Sequence, residues 1–379
     1  PPPPPPTPTD ISSAASDVYK RQLTLARQLL IGTHKRILHL ERRTQIPPAR
    51  QKVGESTVQI GAYYFGKILD LEEYFHQEQL MKYNLRFFWP SAEDALQYES
   101  YSQSYIRHFS NIPCYQLNRN RFEQDLISMN TASERYLLKT GCSEITVKLH
   151  SESTHRVQYQ YQDNTHTANC DWVVDTSGRN RFLAGNLDIK RPSELRHAAS
   201  FFWVDGIVNV EKLTDIPHHQ RLRHPVRQNL GHLPVWLATN HLMGEGFWFW
   251  IIPLKNHTSF GLVFDQDCVN IQEVNSKDKL LRWLFERFPL LQRALEHREI
   301  IDFTCMRNYS HDCERTIHRQ RWAMSGESGR FSDPLYSPGS DLIALHNTLI
   351  CDAICTDTDD QLSTKTMLFE PMMNSLYQS

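Results

Sequence analysis

Apolar residues follow a helical spacing in some parts of the chain and an extended spacing in others. Leucines recur through residues 23–30, which predicts a short helix, and the apolar run at residues 36–41 predicts a buried strand that ends in Glu41. Helical periodicity returns at residues 119–139. Helices and strands in alternation are typical of an α/β fold.

The pattern becomes richer in strands through the middle of the chain. Alternating residues predict a hairpin from 144–150 and 156–162, and a short apolar strand at 172–175 runs into Asp-Thr-Ser-Gly. Residues 195–264 hold several strand-like runs rich in Phe, Trp and Val. Later periodic segments are the helices at 271–287, 290–297 and 340–354 and the strand at 321–324. We therefore predict an α/β fold with a β-rich insertion.

A helix, a short turn and an apolar strand that ends in an acid form the second half of a dinucleotide-binding βαβ unit. Glu41 would then bond a ribose hydroxyl. The first strand and its G-x-G-x-x-G turn would lie just before Leu23, where the sequence has neither. Residues 1–10 are proline-rich and residues 11–22 lack an apolar period. We expect residues 1–22 to be a non-native or disordered leader, and residues 357–379 to be the start of a truncated C-terminal helical region.

Charge and cysteine content narrow the classes of function. With 41 basic and 43 acidic residues, the chain has no electrostatic reason to bind nucleic acid or an anionic membrane surface. No apolar run approaches the ~20 residues that span a bilayer. The eight cysteines are dispersed, with no C-x-x-C spacing. These features favour a cytoplasmic protein with reduced thiols and no metal site.

Five segments carry candidate chemistry. Each one alone also fits an ordinary structural role, such as a helix cap at Thr57, a strand end at Asp175 or a buried aromatic strand at Trp248. In chain order, they are Lys52-Val-Gly54-Glu55-Ser56-Thr57, Leu80-Met-Lys82-Tyr-Asn-Leu-Arg-Phe87, Asp175-Thr-Ser-Gly178, Trp248-Phe-Trp250-Ile-Ile252-Pro253, and the loop from Ser325 to Gly339.

Together these segments resemble the flavin-dependent halogenase family over roughly Leu23 to Tyr377. The resemblance implies a Rossmann-like FAD-binding domain of the flavoprotein monooxygenase type with an inserted β-rich substrate domain. It implies that Lys82 relays the oxidant and that Asp333 assists proton removal. It assigns to the cofactor Glu41, Gly54, Glu55, Ser56, Asp175, Gly178, Gly326, Glu327 and Gly339. It assigns to the substrate tunnel Trp248, Trp250, Ile252 and Pro253.

The same resemblance divides the chain into regions. The FAD-binding domain would comprise residues 23–60, 110–190 and 320–356, without its first βα turn. The substrate-binding region would comprise residues 61–109 and 191–319.

The halide site is where this sequence departs from the family. Ser337 and Gly339 match the segment whose N–H groups hold chloride, but Pro338 between them has no N–H to donate. The resemblance favours a halogenase that uses FAD, reduced by a separate reductase, with chloride or bromide and a small aromatic substrate. A non-halogenating monooxygenase of the same fold and an inactive truncated flavoprotein remain alternatives.

Overall fold

The computed structural model describes residues 18–44, 52–91, 96–106, 108–150, 154–221, 223 and 234–378. The leader expected at residues 1–22 lies outside these ranges up to residue 17. The α-helices in the described ranges are α1 (Val18–Gly32), α2 (Gln59–Tyr63), α3 (Glu72–Glu78), α4 (Arg119–Thr131), α5 (Phe182–Asn186), α6 (His218–Arg221), α7 (Lys277–Arg287), α8 (Leu290–Leu295), α9 (Gly339–Ile354) and α10 (Asp359–Gln378).

The strands fall into one large sheet and several small ones. They are β1 (Ile37–Glu41), β2 (Leu80–Lys82), β3 (Leu85–Pro90), β4 (Tyr101–Tyr105), β5 (Cys114–Gln116), β6 (Tyr136–Thr140), β7 (Ser143–Lys148), β8 (His155–Tyr161), β9 (Asn164–Cys170), β10 (Val173–Asp175), β11 (Lys190–Arg191), β12 (His197–Asp205), β13 (Thr239–Gly244), β14 (Phe247–Pro253), β15 (His257–Asp265), β16 (Ile300–Met306), β17 (Asp312–Cys313), β18 (Ile317–His318) and β19 (Trp322–Met324).

The large sheet has seven strands in the order β16-β12-β15-β14-β13-β3-β4. Because side chains alternate across a strand, β14 sends Phe249 and Ile251 to one face and Trp248, Trp250 and Ile252 to the other. The first face packs on α7 and α8, and the second faces the loop that precedes α9. Both faces are buried, which explains why strands β12, β14 and β15 are predominantly apolar on both sides.

Parallel pairing occurs in two small sheets that position the candidate cofactor residues. Strand β1 pairs with β6, and β10 pairs with β19. Helix α1 packs between α4 and α9 beside these strands. This mixed α/β architecture confirms the predicted fold class and is consistent with a Rossmann-like FAD-binding domain.

Several predicted boundaries are wrong for identifiable reasons. The helix predicted over 119–139 ends at Thr131, because residues 136–140 pair with β1 as β6. Tertiary pairing there outweighs local helical spacing. The helix predicted to begin near Leu23 starts at Val18. Thr57 does not cap α2, because its hydroxyl bonds Tyr115 O at 2.9 Å. The hairpin of β7 and β8 is confirmed, with β9 as a third strand that was not predicted.

None of the helices in the described ranges combines the length and apolarity needed to cross a bilayer.

Candidate functional site

A cavity of about 90 Å³ lies between the large sheet and the loop that leads into α9. A buried water needs on the order of 10–15 Å³ by this measure, so the space is several times larger than one water requires. The predicted site residues that line it are Gly54, Glu55, Ser56, Trp248, Trp250, Ile252, Asp333, Ser337 and Gly339. Segments far apart in sequence therefore meet at one space.

The wall formed by β14 is held in place by its neighbour β15. The indole N–H of Trp250 donates to Ser259 Oγ at 3.0 Å. The Trp250 ring covers Gly261, where a Cβ would approach it to 2.1 Å, so a larger residue would displace the ring. Trp248 lies beside Trp250, with ring centroids 5.8 Å apart. Predicted tunnel residue Pro253 ends the strand and is buried outside the cavity lining.

Glu55 is buried at the edge of the cavity and links β12 and β15 to the first cofactor segment. Its Oε1 accepts the Trp203 indole N–H at 2.8 Å, and Ser259 is a second side-chain partner. Burial raises the pKa of Glu55 to about 7. Its neighbour Gly54 has φ of +86°, a conformation that favours glycine and brings the backbone to the cavity edge. The carboxyl group therefore positions the aromatic wall.

Lys82 is buried, as predicted, and stands one side chain behind the cavity. Its Nζ donates to Ser56 Oγ at 2.7 Å and to Thr57 O at 2.8 Å. Ser56 also bonds Thr239 at 2.8 Å, and both of those residues line the cavity. Burial lowers the pKa of Lys82 to about 8. About a tenth of the amine is thus neutral at pH 7, and this is the form that nucleophilic chemistry requires.

Asp333 lies on the opposite side of the cavity, in the loop before α9. Its Oδ1 accepts the Leu335 N–H at 2.9 Å, and its Oδ2 lies 3.0 Å from His197 Nδ1. The buried Tyr309 hydroxyl lies close to Asp333, and burial raises the pKa of Tyr309 well above its ordinary value. The carboxylate is therefore hydrogen-bonded to the loop backbone and lies against His197 at the cavity wall.

The turn before α9 offers fewer N–H groups than the halide prediction requires. Ser337 N–H donates to Pro334 O at 2.9 Å, so the Ser337 backbone is committed to the turn. Pro338 occupies the position before the helix and has no N–H. Gly339 begins α9, where the first N–H groups have no partner within the helix. Gly339 is the backbone donor of the predicted set that can face an anion.

Glu327 and Gly326 lie outside the cavity lining, against the start of α1. The Glu327 carboxylate pairs with the Arg21 guanidinium at 2.7 Å, and both side chains are buried. A Cβ on Gly326 would approach the Arg21 side chain to 2.2 Å. Arg21 therefore fills the space beside the acid that was predicted to bind the flavin.

Asp175, Gly178 and Glu41 hold local turns. The Asp175 carboxylate accepts N–H groups of Ser177 and Leu183, each at 2.7 Å. Gly178 has φ of +60° and donates its N–H to Ser328 Oγ. Glu41 ends β1 as predicted, and its carboxylate accepts the Arg43 N–H at 2.8 Å. The structure places Asp175 and Gly178 away from the cavity, as turn-forming residues.

Some residues of the site were missed by sequence reasoning. His241 lines the cavity and stacks on Phe87 with ring centroids 4.8 Å apart, and burial lowers its pKa to about 3. Trp203 and Ser259 hold Glu55, and His197 contacts Asp333. Trp203 could have been found from the period-two alternation of β12. The other positions depend on contacts between distant segments and carry no local signal.

Comparison with known proteins places this geometry in context. No protein-family model matches the chain. It is 28% identical over 315 residues to flavin-dependent halogenase chlA of Dictyostelium discoideum, covering 78% of this chain and 50% of that protein. It is 25% identical over 251 residues to a 1H-pyrrole-2-carbonyl-[peptidyl-carrier protein] brominase of Pseudoalteromonas luteoviolacea (strain 2ta16), covering 64% of this chain and 55% of that protein.

The fold is also similar to that of a solved halogenase structure. The crystal structure of halogenase PltM superposes with a TM-score of 0.73 at 15% identity, covering 94% of this chain and 72% of that one. The chain is therefore similar in sequence and in fold to flavin-dependent halogenases. The chain spans about half the length of the curated relatives it matches.

Proposed function

We propose that this protein is an FAD-dependent halogenase-type oxidoreductase, which uses reduced flavin and oxygen to oxidise halide and halogenate an electron-rich aromatic substrate. The observation that carries the proposal is the shared cavity. It brings Trp248, Trp250 and Asp333 to one space, with Lys82 hydrogen-bonded to its wall through Ser56.

The residues present fit a flavin ring better than they fit the rest of the cofactor. Gly54, Glu55, Ser56 and Gly339 line the cavity, where backbone and small side chains allow close approach of a flat ring. Toward the ribityl chain, Glu327 is engaged by Arg21. A ribityl hydroxyl that bonds Glu327 would therefore share the carboxylate with Arg21.

Each of the chain's own side chains would have a separate role in the reaction. Bound reduced flavin would supply the electrons that activate oxygen. The partly neutral Lys82 amine would hydrogen-bond hypohalous acid and direct it into the cavity through the Ser56 position. The carbon–halogen bond would form as the oxygen–halogen bond of hypohalous acid breaks. Asp333 would accept the proton that leaves the ring carbon and pass it to the departing hydroxide, which leaves as water. The tryptophan wall would hold the aromatic ring.

Pro338 is the observation that favours a second candidate function. It removes one N–H from the expected halide site, and Ser337 N–H is already bonded to Pro334 O. A monooxygenase that transfers oxygen instead of halogen would use the same flavin contacts.

The implied partners follow from this chemistry. We propose a separate flavin reductase as the source of reduced FAD, a small aromatic substrate, and chloride or bromide as co-substrate. The eight unpaired cysteines suit a reducing compartment such as the cytoplasm.

Two experiments test the proposal. Flavin absorbance is measured on the purified chain after incubation with FAD, beside a version that carries an added N-terminal strand and Gly-rich turn. More flavin in the extended version would indicate that the cofactor needs that turn. Mass spectrometry then follows both proteins with reduced FAD, oxygen, bromide and a panel of phenols, indoles and pyrroles. Brominated product supports the proposal, whereas hydroxylated product alone would establish the monooxygenase instead.

A further inference from the structure

His197 is the residue behind Asp333, and it lies outside the cavity lining. It is the first residue of β12, and its Nδ1 lies 3.0 Å from Asp333 Oδ2. The side chains are 22% and 26% exposed, so the pair lies at the edge of the cavity and remains in contact with solvent. Asp333 comes 136 positions later in the chain, and only the fold brings the two together.

The charges around His197 come from two elements. Asp333 faces it from the loop before α9, and Asp265, its register partner on β15, faces it from the sheet. The close contact with the Asp333 carboxylate is the largest influence, and it raises the pKa of His197 above the ordinary 6.5. Neighbouring Arg196 pairs instead with Asp267 at 2.6 Å. The imidazole is therefore directed to Asp333 by geometry and by charge.

Asp333 needs such a partner to serve the cavity. An Asp side chain can rotate about its Cα–Cβ bond, and a carboxylate on a loop would otherwise turn to water. One oxygen is committed to the Leu335 N–H, and His197 holds the other. The Tyr309 hydroxyl lies close to Asp333 on the buried side. Together these contacts fix which way the acceptor lone pairs face.

We propose that His197 is a positioning residue that holds the Asp333 carboxylate as a hydrogen-bond acceptor facing the cavity. This inference rests on the proposed function for its catalytic meaning. The geometric claim, however, can be tested on the protein without flavin. An aromatic ring that carries a donor group would bind through Asp333, whereas a ring of the same size without a donor would bind through apolar contact alone.

The first test detects the pair directly. The imidazole resonances of histidine-labelled protein are followed by NMR as pH is varied, with His197 assigned by its loss in His197→Gln. Because Asp333 is the largest cause of the raised pKa, Asp333→Asn should lower the pKa of His197 toward 6.5. An unchanged His197 titration in Asp333→Asn would overturn the proposal.

The second test measures positioning. Dissociation constants for phenol and toluene are measured by saturation-transfer NMR on wild type, His197→Ala and His197→Gln. Loss of a positioned charged acceptor should weaken phenol binding about tenfold in His197→Ala. Toluene binding should not change, and His197→Gln, whose amide can still donate, should recover part of the affinity. A merely structural defect would weaken both rings alike.

A matched control lies on the same two strands. His257 begins β15, and its Nε2 lies 3.9 Å from Asp205 Oδ1 at the other end of β12. His257→Ala should leave the phenol-to-toluene ratio unchanged. Equal phenol affinity in wild type and His197→Ala, including no phenol binding to either, would overturn the proposal. If the binding results hold but wild type makes no halogenated product, the proposed function fails while the positioning role stands.

Discussion

Replacement of Lys82 by methionine tests the central side chain of the site. Burial lowers the pKa of Lys82 from 10.5 to about 8, so the ammonium costs the folded protein about 3 kcal/mol relative to the unfolded chain. Lys82→Met removes this burden. It also leaves Thr57 O without its lysine partner, whereas Ser56 keeps Thr239, and an unpaired acceptor costs about 1–3 kcal/mol. The free energy of unfolding of the variant should therefore lie within about 2 kcal/mol of that of wild type at pH 7.

The stability difference between wild type and Lys82→Met should also depend on pH in a direction that follows from the lowered pKa. Between pH 8 and pH 10.5 the unfolded chain binds a proton at Lys82 that the folded protein has lost, so wild type gains stability over Lys82→Met as pH rises through this window. Urea unfolding followed by tryptophan fluorescence at pH 7 and pH 10 measures the effect. Lys67→Met, at an exposed lysine, is the control. If Lys82→Met is less stable by more than about 3 kcal/mol, equally at both pH values, Lys82 is a compensated structural cation and the relay role is refuted.

Three further predictions concern the surroundings of the cavity. Burial raises the pKa of Glu55 from 4.5 to about 7, so the free energy of unfolding of wild type should fall by about 3 kcal/mol relative to that of Glu55→Gln as pH rises from 4.5 to 7. Chemical unfolding of both proteins at pH 4.5 and pH 7 measures this change. A difference that stays constant with pH contradicts the prediction. Arg21→Met and Glu327→Gln should each lower the free energy of unfolding by about 3–5 kcal/mol, because each leaves the charge of its partner buried. The double variant should lower the free energy of unfolding by less than the sum of the two single effects, and strict additivity would show that the pair is not coupled. Pro338→Ser restores an N–H at the start of α9 and should tighten bromide binding about tenfold, measured as the bromide dependence of product formation, whereas an unchanged dependence would remove Pro338 as the limiting feature.

The sequence predicted the wall of the cavity well, because strand periodicity is a local property. Trp248, Trp250 and Ile252 share a face at period two, and the structure confirms that they do. The burial of Lys82 followed from its apolar neighbours. Strand β6 was missed, because its partner β1 lies almost a hundred residues earlier and pairing there decides the conformation.

The polar contacts could not be read from the sequence. Glu55 gave no sign that it bonds Trp203, and Asp175 gave no sign that its carboxylate is used within its own turn. Arg21 lies in a segment without an apolar period, yet it is buried against Glu327. Long-range pairs of this kind are fixed by tertiary packing and carry no periodic signal.

Product analysis tests the central claim most directly. Wild type and Lys82→Met are each incubated with reduced FAD, oxygen, bromide and phenol, and products are identified by mass spectrometry. We expect bromophenol from wild type only, in an amount that requires bromide, oxygen and reduced flavin together. Lys82→Met, though folded, should make none. Bromophenol at equal yield from both proteins, or hydroxylated phenol with no brominated product from wild type, would contradict the proposed function.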